Sequence, residues 1–264
     1  MPLFIVPGPI IGVAPVREIS SCGNVSNYQA PSKGWRLDAA PARLSAANKL
    51  TLPDQQAEVS SESAVCMSLS GERFADLIMG LCEDAVGYVQ QRKAELIRWD
   101  GVAKARVQKW FGSTDEVLKL YLLNGLNSML RVLGELSPDN FIDHTIENAE
   151  LTGCLREANL TTIAAACAVD TVRHRIMINP NFFILPKYSY SFGSKIFDGK
   201  DSQLMTLIHE VSHFNDVLGT GDPFYGVINA LAHASSPAAR TNADSITAYI
   251  LGMNVSLPRG VSRQ

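Results

Sequence analysis

The stretch Thr206-Leu207-Ile208-His209-Glu210-Val211-Ser212-His213-Phe214, followed directly by Asn215-Asp216-Val217-Leu218-Gly219-Thr220-Gly221-Asp222-Pro223-Phe224-Tyr225-Gly226, decides how the rest of the chain is read. On an α-helix, at about 100° per residue, His209 and His213 stand one turn apart on a single face. Two imidazoles so placed can share one cation. Glu210 lies one step round the helix, close enough to hold a water on that cation but angled away from ligating it. H-E-x-x-H therefore reads as the helix of a zinc hydrolase with Glu210 as general base. Leu204, Leu207, Ile208, Val211, Phe214 and Leu218 fall on the opposite side, so one stripe is buried and the polar arc faces a cleft. The helix is expected to start at the N-caps Asp201-Ser202 and to stop at Gly219.

A catalytic zinc takes three protein ligands and keeps one position open. No Glu follows Glu210 in the chain, which removes a downstream Glu as the third. Asp216 and Gly219 stand where the Gly and third His of the longer H-E-x-x-H-x-x-G-x-x-H pattern would be. Asp216, Asp222, His233 and Asp244 remain. Asp216, still on the expected helix, suits a hydrogen bond to a ligand imidazole or plain solvation. Asp222 follows a Gly219-Thr220-Gly221 reversal that can swing the chain back over the cation, which favours it. Its competing role is N-cap of a helix running from Pro223 to Ala234.

His209-Glu210-Val211-Ser212-His213, then Gly219-Thr220-Gly221-Asp222 with Tyr225-Gly226, resembles the aspzincin pattern H-E-x-x-H, G-T-x-D-x-x-Y-G of deuterolysins and peptidyl-Lys metalloendopeptidases. Asn242-Ala243-Asp244-Ser245 resembles that family's N-A-D-S segment. The likeness is closest over residues 200 to 250. It implies an α+β, zincin-like fold, predominantly helical with a small sheet beside the active-site helix. It also implies Zn2+ as cofactor, with His209, His213 and Asp222 as metal ligands, Glu210 as catalytic base and Tyr225 as catalytic hydroxyl donor to the oxyanion. In the Lys-preferring branch the N-A-D-S Asp lies in the pocket for the residue after the cut, so Asp244 is expected to bind substrate. The acidic residue that helps it three positions later is Thr247 here.

Length and composition fit this reading. At 264 residues, 46% hydrophobic and 19% charged, the chain can bury a substantial single-domain core. A net charge of -3 gives no electrostatic case for nucleic acid, and no apolar run reaches the roughly 18 residues of a membrane span. Five cysteines, Cys22, Cys66, Cys82, Cys154 and Cys167, with no C-x-x-C spacing, argue against a zinc ribbon and a disulfide-dense scaffold. The apolar N-terminus lacks a basic region and is broken by prolines, a poor Sec signal. The expectation is secretion by a non-Sec route, as an effector or toxin acting on protein or peptide substrates. A cytoplasmic enzyme is the alternative.

Residues 1–65, rich in Pro, Ser, Ala and Gly, read as an irregular export or pro-segment, or as a terminus with no separate function; residues 66–264 read as the catalytic domain. A long helix is expected from Ser70 to about Trp99, and a short one from Val102 to Trp110. A third, opened by a capping box at Ser113-Thr114-Asp115-Glu116, should bury Val117, Leu120, Tyr121, Leu126, Met129, Leu130 and Leu133. Asp143-His144 are adjacent and point apart, so His144 is read as a surface or hydrogen-bonded structural residue. Thr161–Val169 and Arg175–Asn179 read as two strands, and an edge strand here can pair with an extended substrate. Residues 187–200 read as a loop bordering the cleft, His233 as structural, and Ser236-Pro237 as the start of the last helix. A zincin scaffold that binds peptide without cutting it, and an inert helical protein with a coincidental motif, are the competing readings.

Overall fold

The computed structural model describes residues 71–154, 162–191 and 193–263, and the expectation for residues 1–65 lies outside them. Three helices form the supporting layer: α1 (Gly71–Arg98), α2 (Gly101–Phe111) and α3 (Glu116–Glu135). The 3.6-residue recurrence in α1 buries Ile78, Leu81, Ala85, Val89 and Leu96 completely. Each of the larger side chains, all but Ala85, contributes on the order of 1.5–3 kcal/mol relative to exposure.

Asp115 caps α3, accepting from Leu118 N at 2.7 Å, and the Ser113 hydroxyl donates to Asp115 instead of forming the expected capping box. The buried face of α3 is rotated from the expected one. Leu118, Leu122, Leu126, Met129, Val132 and Leu133 are inside, while Val117 is 73% and Leu120 56% exposed. This segment is apolar around much of its circumference, so periodicity allowed two faces. The inner one carries Gly125, where a Cβ would come within 2.1 Å of Leu218 Cδ2, so only a glycine lets that leucine approach so closely.

The sheet has three strands in the order β1-β3-β2: β1 (Phe141–Asp143) runs parallel to β3 (Ile176–Ile178), and β2 (Ala164–Ala166) antiparallel to it. β1 was not foreseen. Between β1 and β2 lies a short helix, α4 (Ile146–Thr152), and a disulfide ties Cys154, just after it, to Cys167 at the end of β2. Asp170 accepts from Arg175 Nε at 2.7 Å and closes the turn between β2 and β3.

The metal-motif helix, α5 (Gln203–His213), is capped by Ser202, whose hydroxyl accepts from Met205 N. It stops at His213, six residues before Gly219. The reason is tertiary: Asn215 N donates to Ala168 O beyond β2 at 2.8 Å, and residues 214–218 become turns. Asp216 is therefore not on the helix. The segment expected to border the cleft packs on α1 instead, through residues 187–191 and 193–200: Tyr188 donates to Asp84 at 2.6 Å, and Phe197 is buried against Tyr88.

Two further helices, α6 (Val227–Ala232) and α7 (Ala243–Leu251), follow. Ser236 caps a separate 3-10 turn (Pro237–Thr241), and the extended backbone of Asn242 divides it from α7, where one helix had been expected. Ile246, Tyr249 and Ile250 of α7 are buried, and Arg92 of α1 donates from Nε and Nη2 to Ile250 O at 3.2 and 3.1 Å. A guanidinium there satisfies the helix's last carbonyls. Among the described residues no helix is long and apolar enough to cross a membrane.

Candidate metal centre

α5 puts the His209 and His213 rings 4.8 Å apart, and the loop after it returns Asp222 opposite them. His209 Nε2 lies 3.2 Å from Asp222 Oδ1, and His213 Nε2 3.6 Å from Asp222 Oδ2. The outer ring nitrogens fix the tautomers. His213 Nδ1 is 2.9 Å from Thr220 O, and a carbonyl only accepts, so Nδ1 carries a proton and Nε2 is the nitrogen left to meet a cation. His209 Nδ1 faces Asp244 Oδ1 at 3.2 Å, with the same consequence. Two ring nitrogens and a carboxylate converge, a donor set suited to a cation.

Zinc fits the space. Ligand atoms about 2.0–2.1 Å from a tetrahedral centre lie about 3.4 Å apart, and the two gaps to Asp222 bracket that value. The nitrogens of the imidazoles and a Glu210 oxygen also lie within 4.8 Å of one another. Glu210 Oε2, however, accepts from Ala166 N on β2 at 2.7 Å, whereas both Asp222 oxygens face the imidazoles. Desolvation pushes the pKa of His209 down, but Asp222, Asp244 and the charge of Glu210 together raise it well above its ordinary value. Burial works upward on Asp222, and the two imidazoles nevertheless hold it below the usual carboxylate range.

The Asp222 loop is held by local geometry and by the start of α7. Gly219 turns back at φ 56°, its N–H donating to Phe214 O at 3.0 Å, a conformation that favours glycine. Gly221 N donates to Thr241 O and Ala243 N to Gly221 O, both at 2.9 Å. Asn242 Oδ1 accepts from Phe224 N at 3.0 Å and Asp244 Oδ2 from Gly226 N at 2.6 Å. Asn242, Ala243 and Asp244 thus grip the segment that carries Asp222 and Tyr225, which gives a physical reason for the two sequence patterns to occur together. Asp222 caps no helix, since α6 starts only at Val227.

The aspzincin family model, described as lysine-specific metallo-endopeptidase, matches residues 98–250. The chain belongs to that family. The aspzincins are zinc metalloendopeptidases, and membership places this chain among the zinc-dependent hydrolases. The zinc peptidase from Grifola frondosa has a similar fold, with a TM-score of 0.52 and 21% identity over 70% of this chain and 97% of that one. An extracellular protease of Aeromonas hydrophila is 46% identical over 57 residues, which span 21% of this chain and only 16% of that protein.

In this aspzincin the centre opens into a cleft of about 380 Å³ lined by β2 together with Asp201, Asp222, Tyr225 and Asp244. The Tyr225 ring is 6.5 Å from that of His209 and 71% exposed. Desolvation, then the surrounding carboxylates, push its phenol up to about 12, so it carries its proton at neutral pH. Asp244, expected in a substrate pocket, is 3% exposed, with both oxygens engaged by His209 and Gly226. Asp216 is away from the ligand imidazoles, accepting from His174 at 3.1 Å and from Arg131 at 2.5 Å. His233 is structural: it donates to Asn229 O and stacks on Phe224. His144 is buried, but among the described residues neither ring nitrogen has a hydrogen-bond partner, so the hydrogen-bonded role expected for it is not seen there.

Sequence reasoning missed three contributors. Thr220 supplies the carbonyl on His213, and Ala166 the N–H on Glu210, both main-chain roles that side-chain identity does not reveal. Asp201 was read only as a cap, yet it is exposed on the cleft wall, and among the described residues it has no hydrogen-bond or ion-pair partner.

Proposed function

We propose that this aspzincin is an endopeptidase that uses His209, His213 and Asp222 to hold zinc, Glu210 as base and Tyr225 as oxyanion donor. The observation that carries the reading is the convergence of two Nε2 atoms on the Asp222 carboxylate. Zinc, when bound there, supplies a Lewis acid and an acidified water. Glu210 would serve as base toward a water in the cleft and then as proton donor to the leaving amine, with one oxygen held by the Ala166 N–H and the other free to act. The Tyr225 hydroxyl, protonated and at the cleft mouth, donates to the oxygen that gains charge.

The substrate lies along β2 as an added strand. Backbone groups alternate in direction along a strand. Ile163 O faces β3, accepting from Asn179 N, while Ala166 N and Ala168 O face the opposite way, toward Glu210 and Asn215. Ala164 N–H and C=O and Ala166 C=O share that outer edge and are the groups an extended peptide would meet. The alanine side chains leave room for it.

A basic side chain, Lys foremost, follows the scissile bond. The Asp201 carboxyl is raised by desolvation and then by the charge of Asp244, against an opposing pull from His209; among the described residues it has no ion-pair partner, and an ammonium group would supply one. The enzyme works outside the cytoplasm of the cell that makes it. The Cys154–Cys167 disulfide needs an oxidising compartment, and the Aeromonas relative is an extracellular protease.

Cleavage profiling on a mixed peptide library tests this. The zinc-loaded protein should cut internal bonds with Lys or Arg enriched after the cut, and a chelator should abolish cutting. A protein that holds zinc and binds peptides without cutting any would overturn the peptidase reading.

A further inference from the structure

Asp244 is the best-connected carboxylate of the cleft, and no role in the reaction so far uses its contacts. It sits in the first turn of α7, 3% exposed, with one oxygen on His209 Nδ1 and the other on Gly226 N. We propose that Asp244 is a positioning residue for the metal centre, holding His209 with Nε2 toward Asp222 and tying the Tyr225-Gly226 segment to the same point. The proposal rests on the metal reading above.

The chemistry of the contacts supports this over direct substrate binding. An ionised carboxylate only accepts, and both partners here are N–H groups, so one Asp satisfies both at once. A carboxylate behind a metal-ligating imidazole fixes its tautomer and raises its basicity. Asn cannot do this. If its carbonyl accepts from Gly226 N–H, its amide NH2 faces Nδ1 and favours the tautomer with the proton on Nε2, the wrong one for a ligand. If it turns round, the amide faces Gly226 N–H instead. Asp201, with no hydrogen-bond or ion-pair partner among the described residues, is left to meet a basic side chain directly, and Asp244 reaches the substrate through its field.

The test compares the full chain with Asp244→Asn by zinc affinity, from competition with a chromophoric chelator, and by the visible spectrum of the cobalt-substituted forms. The positioning role predicts zinc binding about 10–100-fold weaker and an altered cobalt spectrum. The preference for Lys over neutral side chains in kcat/KM should persist, lowered by no more than the loss of one nearby charge, in whatever activity remains. Wild-type zinc affinity together with loss of the Lys preference would overturn it and make Asp244 a pocket residue. Should the Asn variant fail to fold, imidazole 15N spectra of the zinc-loaded wild type decide. An Nδ1 proton on His209 protected from solvent exchange is expected; metal on Nδ1, or a freely exchanging Nδ1 proton, contradicts the proposal. A wild-type chain that binds no zinc defeats the metal reading itself, a result distinct from either.

Discussion

Glu210→Gln is the perturbation whose outcome the structure constrains most closely. Glu210 is 6% exposed and accepts from Ala166 N at 2.7 Å, so one oxygen is committed to β2 and the other serves the cleft. Gln is nearly isosteric, and only one of its orientations is tolerated, with the carbonyl oxygen on the Ala166 N–H and the amide nitrogen toward the cleft. That amide cannot take a proton. The fold and the three metal ligands are untouched, while the base is lost. A positioned general base contributes about 10²–10⁴-fold, or about 2.7–5.4 kcal/mol of barrier. Steady-state kinetics on an internally quenched peptide, with zinc measured on the same samples, should show kcat down by that factor, KM little changed and one zinc per chain. A zinc-loaded Gln variant within tenfold of wild-type kcat would refute the role. Loss of zinc would instead make Glu210 a ligand.

Other consequences follow from the packing. Gly125→Ala places a methyl 2.1 Å from Leu218 Cδ2 in a tightly filled contact and should cost about 1–3 kcal/mol, read as a lower Tm; an unchanged Tm would mean that the turn after α5 yields freely. Cys154→Ser removes the disulfide beside the segment that holds Glu210 and should lower stability by about 2–4 kcal/mol and reduce kcat at unchanged zinc content. Unchanged kcat and stability would contradict it. Desolvation works upward on Asp216, but hydrogen bonds from Arg131 and His174 hold its pKa below the usual carboxylate range. A depressed carboxylate stabilises the fold above its unfolded pKa of about 3.9 and loses that contribution as pH falls through the folded value. Urea unfolding of the zinc-free protein should therefore weaken toward pH 3, and less steeply in Asp216→Asn; equal slopes would remove Asp216 as a source of acid sensitivity.

Much of the centre was legible because H-E-x-x-H and the Gly219-Thr220-Gly221-Asp222 bend encode it within 14 consecutive residues. The long helix α1 was legible too, as 28 residues of regular periodicity leave little choice. What stayed hidden depended on contacts between distant segments. β1 is three residues long and exists by pairing with β3 more than 30 positions away, with no local signal of its own. The end of α5 is set by Ala168 O capturing Asn215 N, which outweighs the Gly219 stop signal. The exposed Val117 and Leu120 show the same limit on α3, where only the neighbouring helix and Leu218 select the inner face. Asn242 and Asp244 were visible as a motif, but their grip on the Asp222 loop appears only once α7 is packed beside it.

The most direct measurement is X-ray absorption at the zinc edge on the loaded protein, beside the Asp222→Ala variant. Two imidazole nitrogens and one carboxylate oxygen at about 2.0–2.2 Å are expected, with one protein ligand fewer and weaker binding in the variant. An identical first coordination sphere in the two proteins, or one without two imidazoles, would contradict a centre built from His209, His213 and Asp222.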